Sequence, residues 1–163
     1  MPAGPGAAVR LLLQDVYLQE MVLSLYRVYA RRLRDAGGER LIEAYLGAEG
    51  ERRKRVLAYL SAQGVSASPA VRSVFAALGS AYGRATSMLG TRVMLRIALS
   101  ASRSASKQAC ARLGDPAGPD IVYLSTLRAR NEGELLDGLT QHLIDTAPRR
   151  RAARPHTRSG PES

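Results

Sequence analysis

Cysteine, histidine, tryptophan and lysine are scarce or missing in this chain of 163 residues. It has one cysteine (Cys110), two histidines (His142 and His156), two lysines and no tryptophan. A single cysteine excludes an internal disulfide and a cysteine-based zinc site. Two histidines leave little imidazole for metal binding or proton transfer. Only His142 is expected in the folded part, because His156 falls in an arginine-rich, proline-containing tail that should be disordered.

Long hydrophobic runs are missing as well. No stretch approaches the ~18 apolar residues that a membrane-spanning helix requires, and the first eight residues lack the basic region of a secretory signal. We therefore expect a cytoplasmic protein, with a membrane-peripheral location as an option. The length predicts one domain. We place it at residues 9–146, between disordered segments at residues 1–8 and 147–163.

Acidic residues are outnumbered by arginines. Fourteen Asp and Glu oppose 24 Lys and Arg, which gives a formal net charge of +10 at pH 7. Such a balance suits nucleic acid or anionic membranes, but a GC-rich coding sequence would produce the same arginine-rich composition, and both interpretations stay open. The only cluster of arginines lies between Arg149 and Arg158. The rest of the chain has one phenylalanine and no recognisable reading helix, so any nucleic-acid binding should be non-specific and confined to this patch.

Helical periodicity covers most of the chain, and no sustained period-two alternation indicates a strand. We predict helices over residues 9–35, 39–63, 70–90, 91–113 and 120–147. Gly37-Gly38 should end the first helix, Ser68 and Pro69 should begin the third, Gly90 should break the pattern, and Asp120 should cap the last. Four main helices plus one amphipathic segment predict an all-α bundle, with a non-bundle helical fold as the alternative.

A few polar side chains share helical phase with apolar stripes. Glu49 does so on the second helix, and Arg52 follows it by three residues. A lone buried carboxylate is costly unless it is paired or bound to metal. Glu20 instead shares its face with arginines, which predicts a solvated position. The polar residues placed in or beside the stripes are Gln19, Glu49, Arg52, Ser102, Asn131, Glu132 and Glu134.

Several segments carry a resemblance. Three features are involved: the stretch Gly-Ser-Ala-Tyr-Gly-Arg-Ala-Thr-Ser-Met-Leu-Gly at residues 79–90, the separation of Tyr26 from Glu49, and Leu127-Arg128 followed by Gly138. Together they resemble the ferritin-like superfamily, and within it the demethoxyubiquinone hydroxylases. The resemblance covers residues 9–145. It implies an antiparallel four-helix bundle with an extra amphipathic helical segment between helices 2 and 3. It also implies membrane contact through residues 71–97, for which packing in a dimer or against the bundle is the alternative.

The resemblance implies that most metal-ligand positions have changed. The two ligand glutamates outside the Glu-x-x-His motifs fall on Gln19 and Ser102. The first Glu-x-x-His pair falls on Glu49 and Arg52. The last pair falls on Asn131 and Glu134, or on Glu132 and Leu135 in a register shifted by one. The first register is preferred, because Asn131 shares the apolar stripe of its helix.

These substitutions set the functional expectation. A di-iron carboxylate site of this type takes a glutamate from each of two helices and a Glu-x-x-His from each of the other two. Glutamine, serine and arginine are poor replacements, so no cofactor is predicted. Arg52 is expected to pair with Glu49 where the metal stood, although an ordinary surface ion pair is the simpler interpretation of these two residues.

The resulting hypothesis is a pseudoenzyme: a non-catalytic ferritin-like bundle that has lost its di-iron site and serves as a structural or partner-binding protein, as a homodimer or with another protein. Two alternatives stay open. One is an oxygen-dependent di-iron hydroxylase of a quinone-like lipid with atypical ligands. The other is arginine-mediated binding of nucleic acid or anionic membrane.

Overall fold

The computed structural model describes residues 5–112 and 118–147. These ranges contain five helices and no strand, which confirms the predicted all-α class. Beyond the described residues lie the Cys110 side chain, His156 and the arginine patch of the tail. The helices are α1 (Pro5–Arg32), α2 (Ala36–Ala62), α3 (Pro69–Ser87), α4 (Thr91–Arg112) and α5 (Pro119–Asp145).

Two apolar clusters fix the directions of the helices. The smaller cluster holds Val16 of α1, Val56 of α2 and Leu124 of α5. The larger holds residues that come later along α1 and α5 but earlier along α2, together with the first half of α4. Helices α1 and α5 therefore run in one direction, and α2 and α4 run in the other.

Helix α3 returns the chain from the end of α2 to the start of α4. It packs along α1, with Phe75 stacked on Tyr17 near one end and Thr86 bonded to Tyr29 near the other. It therefore runs parallel to α1 and acts as a crossover connection. Helix α4 packs mainly on α5, and α5 also packs on α2, whereas α3 and α4 share only a narrow contact.

Two glycines allow α3 to lie close against α1. A Cβ atom at Gly79 would overlap the Met21 carbonyl oxygen, and one at Gly83 would lie 3.0 Å from Val28 Cβ. This close approach covers Glu20 and Ser24 on α1, which are each only 4% exposed. The prediction that Glu20 lies on a solvated face is therefore wrong, because α3 covers that face.

The helix boundaries predicted in the middle of the chain are confirmed. Ser68 Oγ accepts from the Val71 amide, and Pro69 occupies the first turn of α3, as predicted. The break predicted near Gly90 is also confirmed, since Gly90 has a φ of +95° and α4 starts at Thr91.

Three other boundaries differ from prediction. Helix α1 begins at Pro5, so residues 5–8 belong to it and not to the N-terminal segment set apart at 1–8. Helix α2 begins before Gly37, because Asp35 caps it by accepting from the Gly37 amide at 3.0 Å. Helix α5 takes Gly118 as its N-cap with Pro119 next, so Asp120 is not the cap. Within the described residues, no helix combines the length and apolarity needed to cross a bilayer.

Candidate functional site: a buried polar layer

A layer of polar side chains separates the two apolar clusters. Helices α1, α2 and α5 contribute to it where their apolar residues pass from one cluster to the other, and α4 contributes Ser102 just after its residues in the larger cluster. We call this set the polar layer. Its members are Asp15 and Gln19 on α1, Tyr45, Glu49 and Arg52 on α2, Ser102 on α4, and Arg128, Asn131 and Glu132 on α5.

Arg52 is the most connected member of the polar layer. Its Nε donates to Glu49 Oε2 at 2.8 Å, and its Nη2 lies 3.1 Å from Gln19 Oε1 and 3.3 Å from Asp15 Oδ2. Its Nη1 lies 3.5 Å from the Leu124 carbonyl oxygen. One guanidinium, 4% exposed, thus joins α1, α2 and α5. The planar fork of arginine suits this task because it presents five donors in fixed directions.

Glu49 is fully buried and accepts hydrogen bonds on both oxygens. Oε2 accepts from Arg52 Nε and from Gln19 Nε2. Oε1 accepts from Asn131 Nδ2 at 2.7 Å. Three helices therefore donate to one carboxylate, which offsets the cost of removing its charge from water.

Glu132 forms the second buried carboxylate centre. The Tyr45 hydroxyl donates to Oε1 at 2.5 Å, and Ser102 Oγ lies 3.1 Å from Oε2 and 3.0 Å from the Glu132 carbonyl oxygen. Burial raises the pKa of Glu132, although the Tyr45 hydrogen bond and the Arg128 charge act in the opposite direction. Burial also raises the pKa of Tyr45, and the charges of Glu132 and Glu49 add to that effect. Tyr45 is therefore held as a neutral donor.

Arg128 and Asp15 close the layer on the side of the smaller cluster. They form an ion pair, and Asp15 also pairs with Arg52. Burial lowers the pKa of Arg128, whereas the charge of Glu132 raises it. Among the described residues, Arg128 Nε is the only buried side-chain nitrogen or oxygen without a hydrogen-bond partner. The layer contains three carboxylates and two guanidinium groups.

The structure brings most of the sequence-predicted site residues together. Gln19, Glu49, Arg52, Ser102 and Asn131 all lie in the polar layer.

Glu134 does not join them. Its side chain is 63% exposed and pairs with Arg130 at 2.9 Å, so its expected core position is wrong. Glu132 and Leu135, the residues of the alternative register, face the interior instead, being 1% and 3% exposed. The reason is the helical phase of α5. Its buried stripe is Leu124, Arg128, Glu132, Leu135 and Leu139, which leaves Asn131 half-buried beside it.

Three members of the layer were not singled out as polar site residues: Asp15, Tyr45 and Arg128. Asp15 lies four residues before Gln19, and Arg128 lies four residues before Glu132, so each shares a helix face with a layer residue. Each position therefore carries a local signal, but the pairing of Asp15 with Arg128 depends on how the bundle brings α1 and α5 together. The cost of burying an unpaired charge makes such pairs necessary.

The donor set does not fit the di-iron centre that the resemblance implies. Two irons of this class are held by four carboxylates and two imidazoles. The layer offers neutral Gln19 and Ser102, and it places the Arg52 guanidinium on Glu49. Among the described residues, no group of three or more His, Cys, Asp or Glu side chains is arranged to hold a metal ion. The carboxylates already have arginine, tyrosine, serine and amide partners within the protein.

A second feature, on the α3 side of the molecule, is apolar and open, in contrast to the buried polar layer. An open, mostly apolar groove of about 610 Å³ lies between α1, α3 and α4. We call it the α1/α3/α4 groove. It is lined by Met21, Val22 and Leu25 on α1, Leu78, Gly79 and Tyr82 on α3, and Ile97, Ser100, Ala101 and Ser104 on α4.

Large apolar side chains continue from this groove over the outer face of α3. Leu78 and Tyr82 are each 54% exposed, and the turn after the helix adds Met88 at 87%. The resemblance implies membrane contact through residues 71–97, and six of the eleven exposed large apolar residues in the described part of the chain fall within that range. They are Val71, Val74, Leu78, Tyr82, Met88 and Leu89.

A comparison of the chain with protein-family models, curated proteins and solved structures found no match. Function is therefore argued from the chemistry of the polar layer and of the groove.

Proposed function

We propose that this protein is a non-catalytic ferritin-like bundle, a pseudoenzyme in which an arginine-centred ion network stands where a di-iron site would be, and that it acts through its surface as a structural or partner-binding protein. The observation that carries the proposal is Arg52. Its guanidinium bonds Glu49 and Gln19, two of the positions that the resemblance assigns to metal ligands.

The helix directions support the ferritin-like part of the proposal. Helices α1 and α5 run one way and α2 and α4 the other, with α3 as the single crossover. Ferritin-like bundles have one long crossover connection of this kind. The polar layer also lies where all four long helices face one another, which is where bundle proteins of this class hold their metals.

The chemistry of the layer supports the non-catalytic part. A general acid or base needs a free hydrogen-bonding position toward a substrate. Glu49 uses both oxygens for partners on α1, α2 and α5, and Glu132 uses both for Tyr45 and Ser102. Each carboxylate is also buried, at 0% and 1% exposure. Such a layer stabilises and aligns four helices.

Metal analysis tests this proposal. The full chain is produced in iron-supplemented medium, incubated anaerobically with Fe(II), desalted, and measured by inductively coupled plasma mass spectrometry. We expect far less than one iron per chain. A useful comparison is a variant carrying Gln19→Glu, Arg52→His and Ser102→Glu, which restores a glutamate or histidine at those positions. Two irons per wild-type chain would contradict the proposal and favour the di-iron hydroxylase alternative.

A further inference from the structure

The α1/α3/α4 groove has the form of a receptor for a helix. Its floor is α1, where Met21 and Val22 are half-buried and Leu25 is buried, and α3 and α4 form its two walls. Its volume of about 610 Å³ lies within the roughly 300–1,000 Å³ of sites that bury most of a drug-sized molecule, which gives room for the apolar side chains along one face of a helix. Amphipathic helices bind such apolar grooves through anchors at positions i, i+3, i+4 and i+7.

The walls of the groove favour close approach by a backbone. Helix α4 presents Ser100, Ala101 and Ser104 to the groove. Small side chains let a partner helix come near, while the half-exposed Leu78 and Tyr82 can pack against its apolar face. The groove thus offers both depth and apolar contact area.

The basic residues of the two wall helices indicate the charge of the partner. No Asp or Glu occurs between Glu51 and Asp115, whereas α3 and α4 carry basic residues throughout. Arg96 and Arg103 are exposed and lie four residues before and three residues after the groove-lining Ser100, so all three share one face of α4. One rim of the groove is therefore a row of arginines with no acidic neighbour along its own helix.

We propose that the α1/α3/α4 groove binds an acidic amphipathic helix of a partner protein. The proposal names the partner class for the partner-binding role suggested above, and it rests on that role. A second copy of this chain would bring the same basic helices to the interface, and like charges there oppose association. A flat bilayer surface would touch the rims and the outer face of α3 but would leave the concave floor uncovered.

A synthetic peptide tests the proposal with the full-length protein. The probe is a fluorescein-labelled helix of leucine and glutamate, with leucine at i, i+3, i+4 and i+7. The controls are a scrambled peptide of the same composition and a peptide with lysine for glutamate. Fluorescence anisotropy should show saturable binding of the acidic helix, with affinity at least about tenfold higher than for either control.

Two pairs of variants locate the binding. Leu78→Asp should weaken it about tenfold or more, whereas Ile144→Asp, at an apolar residue of α5 that is 63% exposed, should leave it unchanged. Arg96→Glu with Arg103→Glu should weaken binding, and Arg34→Glu with Arg40→Glu, which makes the same change in net charge, should have a much smaller effect. Circular dichroism confirms that each variant is folded.

Three results would overturn the proposal. The first is equal binding of the acidic and scrambled peptides. The second is equal loss in the groove variants and their matched controls. The third is retention on phosphatidylserine vesicles that depends on Leu78 and Arg96 when no peptide binding is seen, since this would assign the surface to an anionic membrane. Iron content is measured separately, so failure of this proposal is distinguishable from failure of the pseudoenzyme proposal.

Discussion

The polar layer and the α1/α3/α4 groove use charge in opposite ways. In the layer, charged side chains that are 0–8% exposed bond one another and neighbouring amide and hydroxyl groups, and among the described residues Arg128 Nε is the one buried side-chain nitrogen or oxygen without a partner. At the groove, Leu78 and Tyr82 are half exposed, and the charged residues of the two wall helices, α3 and α4, are all basic. Chemistry that is satisfied internally holds a fold together, whereas chemistry left unsatisfied at a surface is available to a partner. We therefore propose that the layer provides stability and the groove provides recognition.

The largest expected effect comes from removing the charge at the centre of the layer. Arg52→Met should destabilise the protein by about 3–5 kcal/mol, because Glu49 would remain buried without a cation partner, and Asp15 would keep only Arg128. Urea unfolding followed by circular dichroism measures this change. Arg55→Met is the matched control, since Arg55 is exposed and bonds only the Tyr123 hydroxyl. A loss below about 1 kcal/mol for Arg52→Met would remove the central role given to this residue.

The next largest effect concerns the close packing of α3, one wall of the groove, against α1. Gly79→Ala places a methyl group against the Met21 carbonyl oxygen, so α3 must move away from α1, at a cost of about 1–3 kcal/mol. Gly47→Ala, at a helical position with open space around the new Cβ, should instead stabilise the protein by about 0.5–1 kcal/mol. Thermal unfolding of both variants checks the two signs. Equal effects would mean that close packing does not hold the α3 wall of the groove.

A smaller effect concerns pH. The folded state raises the pKa of Glu132 above its unfolded value of about 4.3, so the native protein keeps this proton to higher pH than the unfolded chain. The contribution of Glu132 to the free energy of unfolding is therefore greatest below pH ~4.3, and it declines as pH rises through the pKa of the folded state. In Glu132→Gln this decline should disappear, at a general cost of about 1 kcal/mol for altered hydrogen bonds. Denaturant titrations across a pH series measure both quantities. An unchanged slope in the variant would contradict the assignment to Glu132.

The smallest effect is expected on the outer face of α5. Glu134 lies two residues from Glu132 but pairs with Arg130 in solvent. Glu134→Ala should cost only about 0.2–0.5 kcal/mol, as exposed pairs at this spacing do. When Glu134→Ala and Glu132→Ala are measured in the same unfolding assay, the difference shows how burial changes the contribution of a glutamate to the free energy of unfolding. A loss comparable to that of Glu132→Ala would contradict the helical phase given for α5.

The sequence predicts much of the fold because helical periodicity, capping and glycine breaks act locally. Ser68, Pro69 and Gly90 were identified for that reason. The errors come from contacts between distant segments. Glu20 was assigned to solvent because nothing local shows that α3 covers it, and Glu134 was preferred to Glu132 because Asn131 alone was used to set the phase of α5.

The polar layer was predicted in part for the same reason. Gln19, Glu49, Arg52, Ser102 and Asn131 could be named from apolar stripes and from the family resemblance. The ion pair of Asp15 with Arg128 could not, since it joins residues of α1 and α5 that only the assembly of the bundle brings to one level.

The most direct test of the central claim is a crystal structure of the full chain soaked anaerobically in Fe(II), with diffraction data collected above and below the iron absorption edge. We predict no anomalous peak in the polar layer and the Arg52 guanidinium within hydrogen-bonding distance of both Glu49 and Gln19. An iron peak between Glu49 and Glu132, with Arg52 turned away from Glu49, would contradict the claim that arginine has replaced the metal.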